Sequence, residues 1–173
     1  LFGEAVVDAE ILGLKTGNQS QGHRFHAPEA ISIKNADSYL AVLEQNYVIA
    51  DYAKRQAIIE EKANIAANSV AGIAHIETDL LEEIAALNEW PIPVLGNFDS
   101  RFLELPNEVL ITTMQSNQKY FPIKNKAGDL LPHFITFSNV ESSRPQSIQE
   151  GNERVIMPRL ADAEFFWKQD RKQ

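Results

Sequence analysis

The chain of 173 residues contains no cysteine, which excludes disulfides, thiolate zinc sites and cysteine nucleophiles and agrees with a cytosolic, hence cytoplasmic, protein. No apolar run approaches the roughly 20 residues a helix needs to cross a bilayer, and no basic start followed by an apolar stretch marks a secretory signal. A membrane is therefore not an expected partner. The phosphate-cradling patterns GxxxxGK[ST] and GxGxxG are missing, as are GxSxG and HExxH, so a self-contained nucleotide-driven catalyst is not expected. Positive charge is also scarce: 16 Lys and Arg stand against 24 Asp and Glu, a net charge of −8. Sequence-blind nucleic-acid binding needs a basic surface to displace counterions, so any contact with RNA must be local.

The composition that remains is ordinary for a globular chain, with 44% apolar and 23% charged residues. The length suits one domain with a proper core, residues 1–173, and a second full domain would be a squeeze. Residue 1 is leucine, "LFGEAVVDAEILGL" opens on core-like residues, and the last residues stop without a tapering tail; both ends read as excised. Between Glu77 and Glu108 the acids Glu77, Asp79, Glu82, Glu83, Glu89, Asp99, Glu104 and Glu108 face the single base Arg101. That middle third is expected to turn away from phosphate.

Periodicity places the elements. "EAVVDAEILGLKTGN" reads as a strand or strand pair closing at Gly17-Asn18, with Val6, Ile11 and Leu14 facing inward. "GHRFHAPEAISI" is extended, because Pro28 steers Ala27 away from helix. Asp37 is the expected N-cap of a helix over "SYLAVLEQ", and Asp51 caps or joins a long amphipathic helix whose stripe is Tyr52, Ile59, Ala63 and Ala66 or Ala67. A third helix over "DLLEEIAALNEW" carries acids in its first turn, favoured by the helix dipole, and stops at Pro91 and Pro93. "LPNEVLITTMQSNQ" leans to helix, with Pro106 at its first position. "KYFPI" and "LLPHFITFSNV" flank the turn "KNKAGD" as an antiparallel hairpin, and the polar loop "NVESSRPQSIQEGN" leads to a closing helix over 151–173. There Ile156, Leu160, Ala163 and Trp167 form one buried stripe, widened by Phe165 and Phe166. Pro158 within it implies a kink or a helix start. Strands on both sides of a helical middle indicate an α+β fold, a mixed or antiparallel sheet with several amphipathic helices.

Chemistry-bearing residues gather in three places. His23 and His26 in "GHRFH" are the nearest approach to a metal pair, but a site needs three or four donors and nothing completes this one; a hydrogen-bonded structural pair is expected. "TTMQSNQKYFPI" brings together Gln115, Asn117, Gln118, Lys119 and Tyr120, whose amide, ammonium and phenol groups read sugar, phosphate and base edges without large net charge. Equally, these groups can close a helix end. In the last segment Arg154 and Arg159 are the cations left for a partner, whereas Glu164 and Lys168 form a favourable i,i+4 pair.

The stretches "LPNEVLITTMQSNQKYFPI", "LLPHFITFSNVES", "GNERVIMPRLADAEFFWKQD", "GNQSQGHRFHAPEAISI" and "YVIADYAKRQAII" resemble, in order and over nearly the whole chain, the bacterial glycyl-tRNA synthetase β subunit, in an N-terminal portion of that much longer protein. The resemblance implies an α₂β₂ ligase that joins glycine to its tRNA, with ATP and Mg used through the separate α subunit and no cofactor in this portion. It implies as partners the α subunit, other β domains and the tRNA for glycine. This portion is also similar to the B3/B4-type module of phenylalanyl-tRNA synthetase β, a fold-level analogy. Three roles follow as expectations: a noncatalytic module that positions tRNA or the α subunit; an editing hydrolase with His23 or His26 activating water near Thr112 or Thr113; and a scaffold docking through the stripe of residues 156 to 167. The expected tRNA or partner contacts are His23, Arg24, Gln115, Asn117, Gln118, Lys119, Tyr120, Arg154 and Arg159, with no catalytic, cofactor or metal residue.

Overall fold

The computed structural model describes residues 1–171. Where the sequence reading placed one domain, the chain forms two compact units, Leu1–Arg55 and Gln56–Gln173. Each is α+β with antiparallel strands throughout.

The first unit opens with the hairpin β1 (Glu10–Ile11) and β2 (Leu14–Lys15). Its turn is Leu12-Gly13, both at positive φ (54° and 79°), not the expected Gly17-Asn18. Two left-handed residues in succession give the turn handedness that matches strand twist. Val6, Ile11 and Leu14, expected inside, are exposed, because a two-residue strand pair has no second layer to cover it. β3 (Gln19–Gln21) pairs with β4 (Ala30–Ser32), and α1 (Tyr39–Gln45) follows a single 3₁₀ turn. Asn35, rather than Asp37, caps that turn: its Oδ1 accepts from the Ser38 amide at 2.8 Å. Asp51 does cap α2 (Tyr52–Asn68), accepting from the Lys54 amide at 3.0 Å, and Lys54 reaches back to Glu44 on α1 at 2.6 Å.

The second unit is a three-layer sandwich. Its sheet has the order β5 (Ile73–Ala74), β7 (Phe121–Lys124), β8 (Leu130–Ser138), β6 (Ile92–Asn97). On one face Ile59, Ala63 and Ala67 of α2 pack with Leu80, Ile84 and Ala85 of α3 (Thr78–Leu87) against Phe121, Ile123 and Ile135. On the other, Leu110 of α4 (Asn107–Thr112), Met114, and Ile156 and Leu160 of α5 (Pro145–Asp170) pack with Phe102 and Tyr120 against Leu130 and Phe134. Successive residues of β8, Phe134 and Ile135, thus serve opposite cores, as a period of two requires. Pro93 is tolerated in β6 because β6 is an edge strand.

The hairpin expected around "KNKAGD" is β7–β8, with Gly128 at φ 92° in its turn. α5 starts at Pro145, six residues earlier than the expected closing helix and inside the stretch read as a loop. Proline at the first turn has no amide to leave unsatisfied, so it starts a helix readily. The helix also continues through Pro158, which therefore marks no start. Within its stripe Ile156 and Leu160 are fully buried, but Phe165 and Phe166 are 58% and 65% exposed. They stand off the side of the helix whose Trp167 still packs on the core, and they meet edge-on.

Candidate functional site

His23 is fully buried and organises the turn in which it sits. Its Nδ1 accepts from the amides of Phe25 (3.2 Å) and His26 (3.3 Å), its own amide donates to the Asn46 carbonyl (2.9 Å), and its carbonyl accepts from Ala27 (2.8 Å). A ring nitrogen that accepts two amides carries no proton, so this imidazole acts as a turn template and offers no base at that nitrogen. The His26 ring lies tilted beside it, centres 4.6 Å apart, and tilted against Tyr47 at 5.0 Å. The structural histidine pair expected from the sequence is what forms. Among the described residues no group of three or more potential metal ligands exists.

This turn pushes Arg24 and Phe25 outward. The Arg24 guanidinium sits 5.6 Å above the centre of the Phe25 ring, and Phe25 is 67% exposed. An exposed aromatic paired with a cation is a ready platform for an unstacked base next to a phosphate. The sequence reading chose Arg24 and passed over Phe25. The available signal was an aromatic flanked by two turn-forming histidines and followed by Ala-Pro, which leaves it no helix or strand face to bury.

The second candidate group divides. α4 runs into a π-helical turn, Thr113–Asn117, and closes at Lys119, which has a left-handed backbone (φ 59°). The Lys119 amide donates to Gln115 and the Tyr120 amide to Met114, 3.1 and 3.0 Å, a widened form of the left-handed helix stop that normally uses glycine. Asn117 is exposed and Gln118 partly so. The Lys119 ammonium meets Glu83 of α3 at 2.9 Å, beside a shallow cleft of about 190 Å³ that Gln115 and Ser116 also line. Gln115 Nε2 is buried with no hydrogen-bond partner among the described residues. Tyr120 is a core residue: it is 3% exposed, stacks on Phe134 at 4.4 Å and donates its hydroxyl to Asn152 Oδ1 at 2.8 Å. Burial pushes its phenol up to about 12. The hydroxyl of Thr113 is likewise engaged, donating to the Val109 carbonyl at 2.8 Å.

On α5, Arg154 and Arg159 are both exposed. Five residues apart, they point about 140° away from each other around the helix, so they serve different surfaces. Arg154 borders a surface cleft with Asp99, Glu150 and Glu153. A groove of about 430 Å³ between β6 and the start of α5 is lined by none of the nine candidate residues. A network unread in the sequence joins Glu153 to Asn97, whose amide and Nδ2 donate to Glu153 Oε1, and Asn97 Oδ1 to His133 Nδ1 at 2.6 Å. Burial lowers the pKa of the His133 imidazole from its ordinary value.

Comparison with known proteins adds what geometry alone does not. The model of the family described as "Glycyl-tRNA synthetase beta subunit" matches residues 1–173. This chain belongs to that family. It is 51% identical to the glycine–tRNA ligase β subunit of Hahella chejuensis over 99% of its own length and 25% of that protein. Identity to the β subunit of Acinetobacter baylyi is 51% over 98% and 25%, and to that of Shewanella woodyi 49% over 100% and 25%. The chain thus spans about a quarter of the length of these family members.

Proposed function

We propose that this chain is a noncatalytic module of the β subunit of a tetrameric bacterial glycine–tRNA ligase, acting in the cytoplasm, where it positions the tRNA for glycine and contributes to assembly with the α subunit and the other β domains. ATP and Mg serve the whole enzyme through the α subunit. The observation that carries the tRNA role is the exposed Arg24–Phe25 pair on a turn fixed by buried His23. A preorganised aromatic with a cation above it gives a local RNA contact on a chain whose overall charge repels phosphate. Asn117, Gln118, Lys119 and Arg154 supply further contacts from the second unit, while Tyr120 and His23 hold these surfaces in shape from within.

The engaged state of the histidine and threonine groups favours this reading over an editing hydrolase. His23 Nδ1 accepts two backbone amides, so that nitrogen is not poised to activate water, and the Thr113 hydroxyl beside which the water was expected already donates to Val109. The burial of Ile156 and Leu160 within their own unit weighs against a scaffold that docks through that stripe.

The test is aminoacylation by the complete enzyme carrying Phe25→Ala in its β subunit. Base–aromatic stacking is worth roughly 1–3 kcal/mol, so KM for tRNA should rise on the order of tenfold while glycine-dependent ATP–pyrophosphate exchange stays unchanged. An unaltered tRNA KM would overturn the contact, and deacylation of mischarged tRNA above the buffer rate would overturn the noncatalytic assignment.

A further inference from the structure

β6 is an open edge of the four-stranded sheet, whereas the other edge, β5, is only two residues long. β6 pairs with β8 over six consecutive residues without a bulge. None of Ile92–Asn97 is charged, so Pro93 is the single device on this strand against further pairing. Two bonds fix which way its main chain points. The Phe98 amide donates across the ladder to the Pro132 carbonyl at 3.1 Å, whereas the Asn97 amide donates away from β8, to Glu153 Oε1 at 2.9 Å. Main-chain groups alternate sides along an antiparallel strand, so the carbonyls of Pro93 and Leu95 and the amide of Leu95 point to the open side. Among the described residues neither Pro93 nor Leu95 makes a hydrogen bond outside the ladder.

An apolar groove lies beside this edge. Residues two apart share a face of the sheet, so Ile92, Val94 and Gly96 lie on the face of Phe134, the side on which α5 packs. With Val140, Pro145 and Ile148, Ile92 and Val94 line the groove of about 430 Å³ between β6 and the start of α5. Glu141 is the one charged residue in that lining, and a wall without lysine or arginine does not suit nucleic acid. An open strand edge selects an extended backbone, because another main chain supplies donors and acceptors at the matching spacing, and an apolar slot on one face of it selects an aliphatic side chain. We propose that β6 accepts an extended peptide strand whose main chain bonds Pro93 and Leu95 and whose intervening side chain, an aliphatic one, enters the groove opposite Val94.

The added strand is short. At Asn97 the Glu153 carboxylate already takes the amide that a longer strand would use, and Pro93 has a carbonyl to offer but no N–H. Recognition therefore rests on the main chain of Pro93 and Leu95 and on one side-chain slot, which admits a peptide of varied sequence with a single aliphatic requirement.

The test pans a phage-displayed library of random dodecapeptides on the chain and measures the enriched sequence, as a labelled synthetic peptide, by fluorescence anisotropy. An enriched set with one aliphatic position between β-branched neighbours is expected. N-methylation of either peptide amide that faces β6 should weaken binding about tenfold, whereas methylation of the amide between them should leave it unchanged. On binding, the Leu95 amide should exchange about tenfold more slowly by NMR. Gln146→Trp, at an exposed position of the groove wall, should weaken binding by filling the groove, with a matching thermal melt by circular dichroism to show that the variant is folded. No enriched set, a methylation scan without alternation, an unchanged Leu95 exchange rate, or a folded Gln146→Trp chain that binds like the parent would each overturn the proposal. Displacement of the peptide by single-stranded RNA, or self-association of the chain that Gln146→Trp abolishes, would overturn it in favour of a different occupant.

Discussion

Lys119 shows a residue with two duties that pull against each other. Its backbone is left-handed, where an L side chain costs about 1 kcal/mol relative to glycine, yet its ammonium stands at the surface beside Glu83. Lys119→Gly should therefore raise the stability of the chain by about 0.5–1 kcal/mol in urea unfolding and at the same time weaken tRNA use by the complete enzyme. A loss of both stability and tRNA use would show a merely structural lysine. Tyr120 gives a pH-dependent counterpart. Its folded pKa, about 12, lies above the ordinary tyrosine value near 10, so the neutral phenol contributes stability that is complete below pH 10 and is lost as pH rises through 12. Unfolding at pH 9 and pH 11 should show a larger fall for the parent than for Tyr120→Phe. Equal falls would mean that the phenol ionises in the folded chain as readily as in the unfolded one.

At the scale of elements, agreement between sequence and structure follows how local the deciding force is. The α2 cap by Asp51 and the β7–β8 hairpin rest on cap and turn residues a few positions apart, and each forms where the pattern indicated, whereas α3, expected to run to Pro91, ends at Leu87 with Asn88 extended. The inward placement of Val6, Ile11 and Leu14 failed because alternation says that two faces differ, not that anything covers either one. Phe165 and Phe166 failed for the same reason: the core reaches Trp167, but nothing covers the side of the helix on which these two rings stand. Close approach between β6 and β8 was beyond the sequence altogether. A Cβ on Gly96 would lie 2.2 Å from the Phe134 ring, the ring that stacks on Tyr120. Gly96→Ala should cost about 2–3 kcal/mol in urea unfolding, and Gly96→Ala with Phe134→Leu should recover part of that by shortening the obstacle. An unchanged midpoint for Gly96→Ala would show that the ring can move aside without penalty.

The whole molecule is uneven in how firmly it is held. Residues 1–17 are exposed throughout, Leu12 by 98%, whereas β7 and β8 lie in a sheet covered on both faces. Hydrogen exchange should accordingly find the amides of Phe121–Lys124 and Leu130–Ser138 slowest and those of residues 1–17 fastest, by several orders of magnitude; protected amides in the first seventeen residues would contradict the fold of the first unit.

The sequence by itself determined the fold class, the Asp51 cap, the periods of α2 and α5, the net charge of −8 and the family, because each is written in nearby residues or in long stretches shared with relatives. It picked out the candidate segments without sorting their members, and a turn at residues 24–26 stands where extended chain was expected. Tyr120 and His23 are polar in type and buried in fact, Arg154 and Arg159 are neighbours in the chain and diverge in space, and Phe25 is apolar in type and exposed. Only tertiary structure decides these, since exposure depends on which other elements arrive to cover a side chain, and those come from distant parts of the chain.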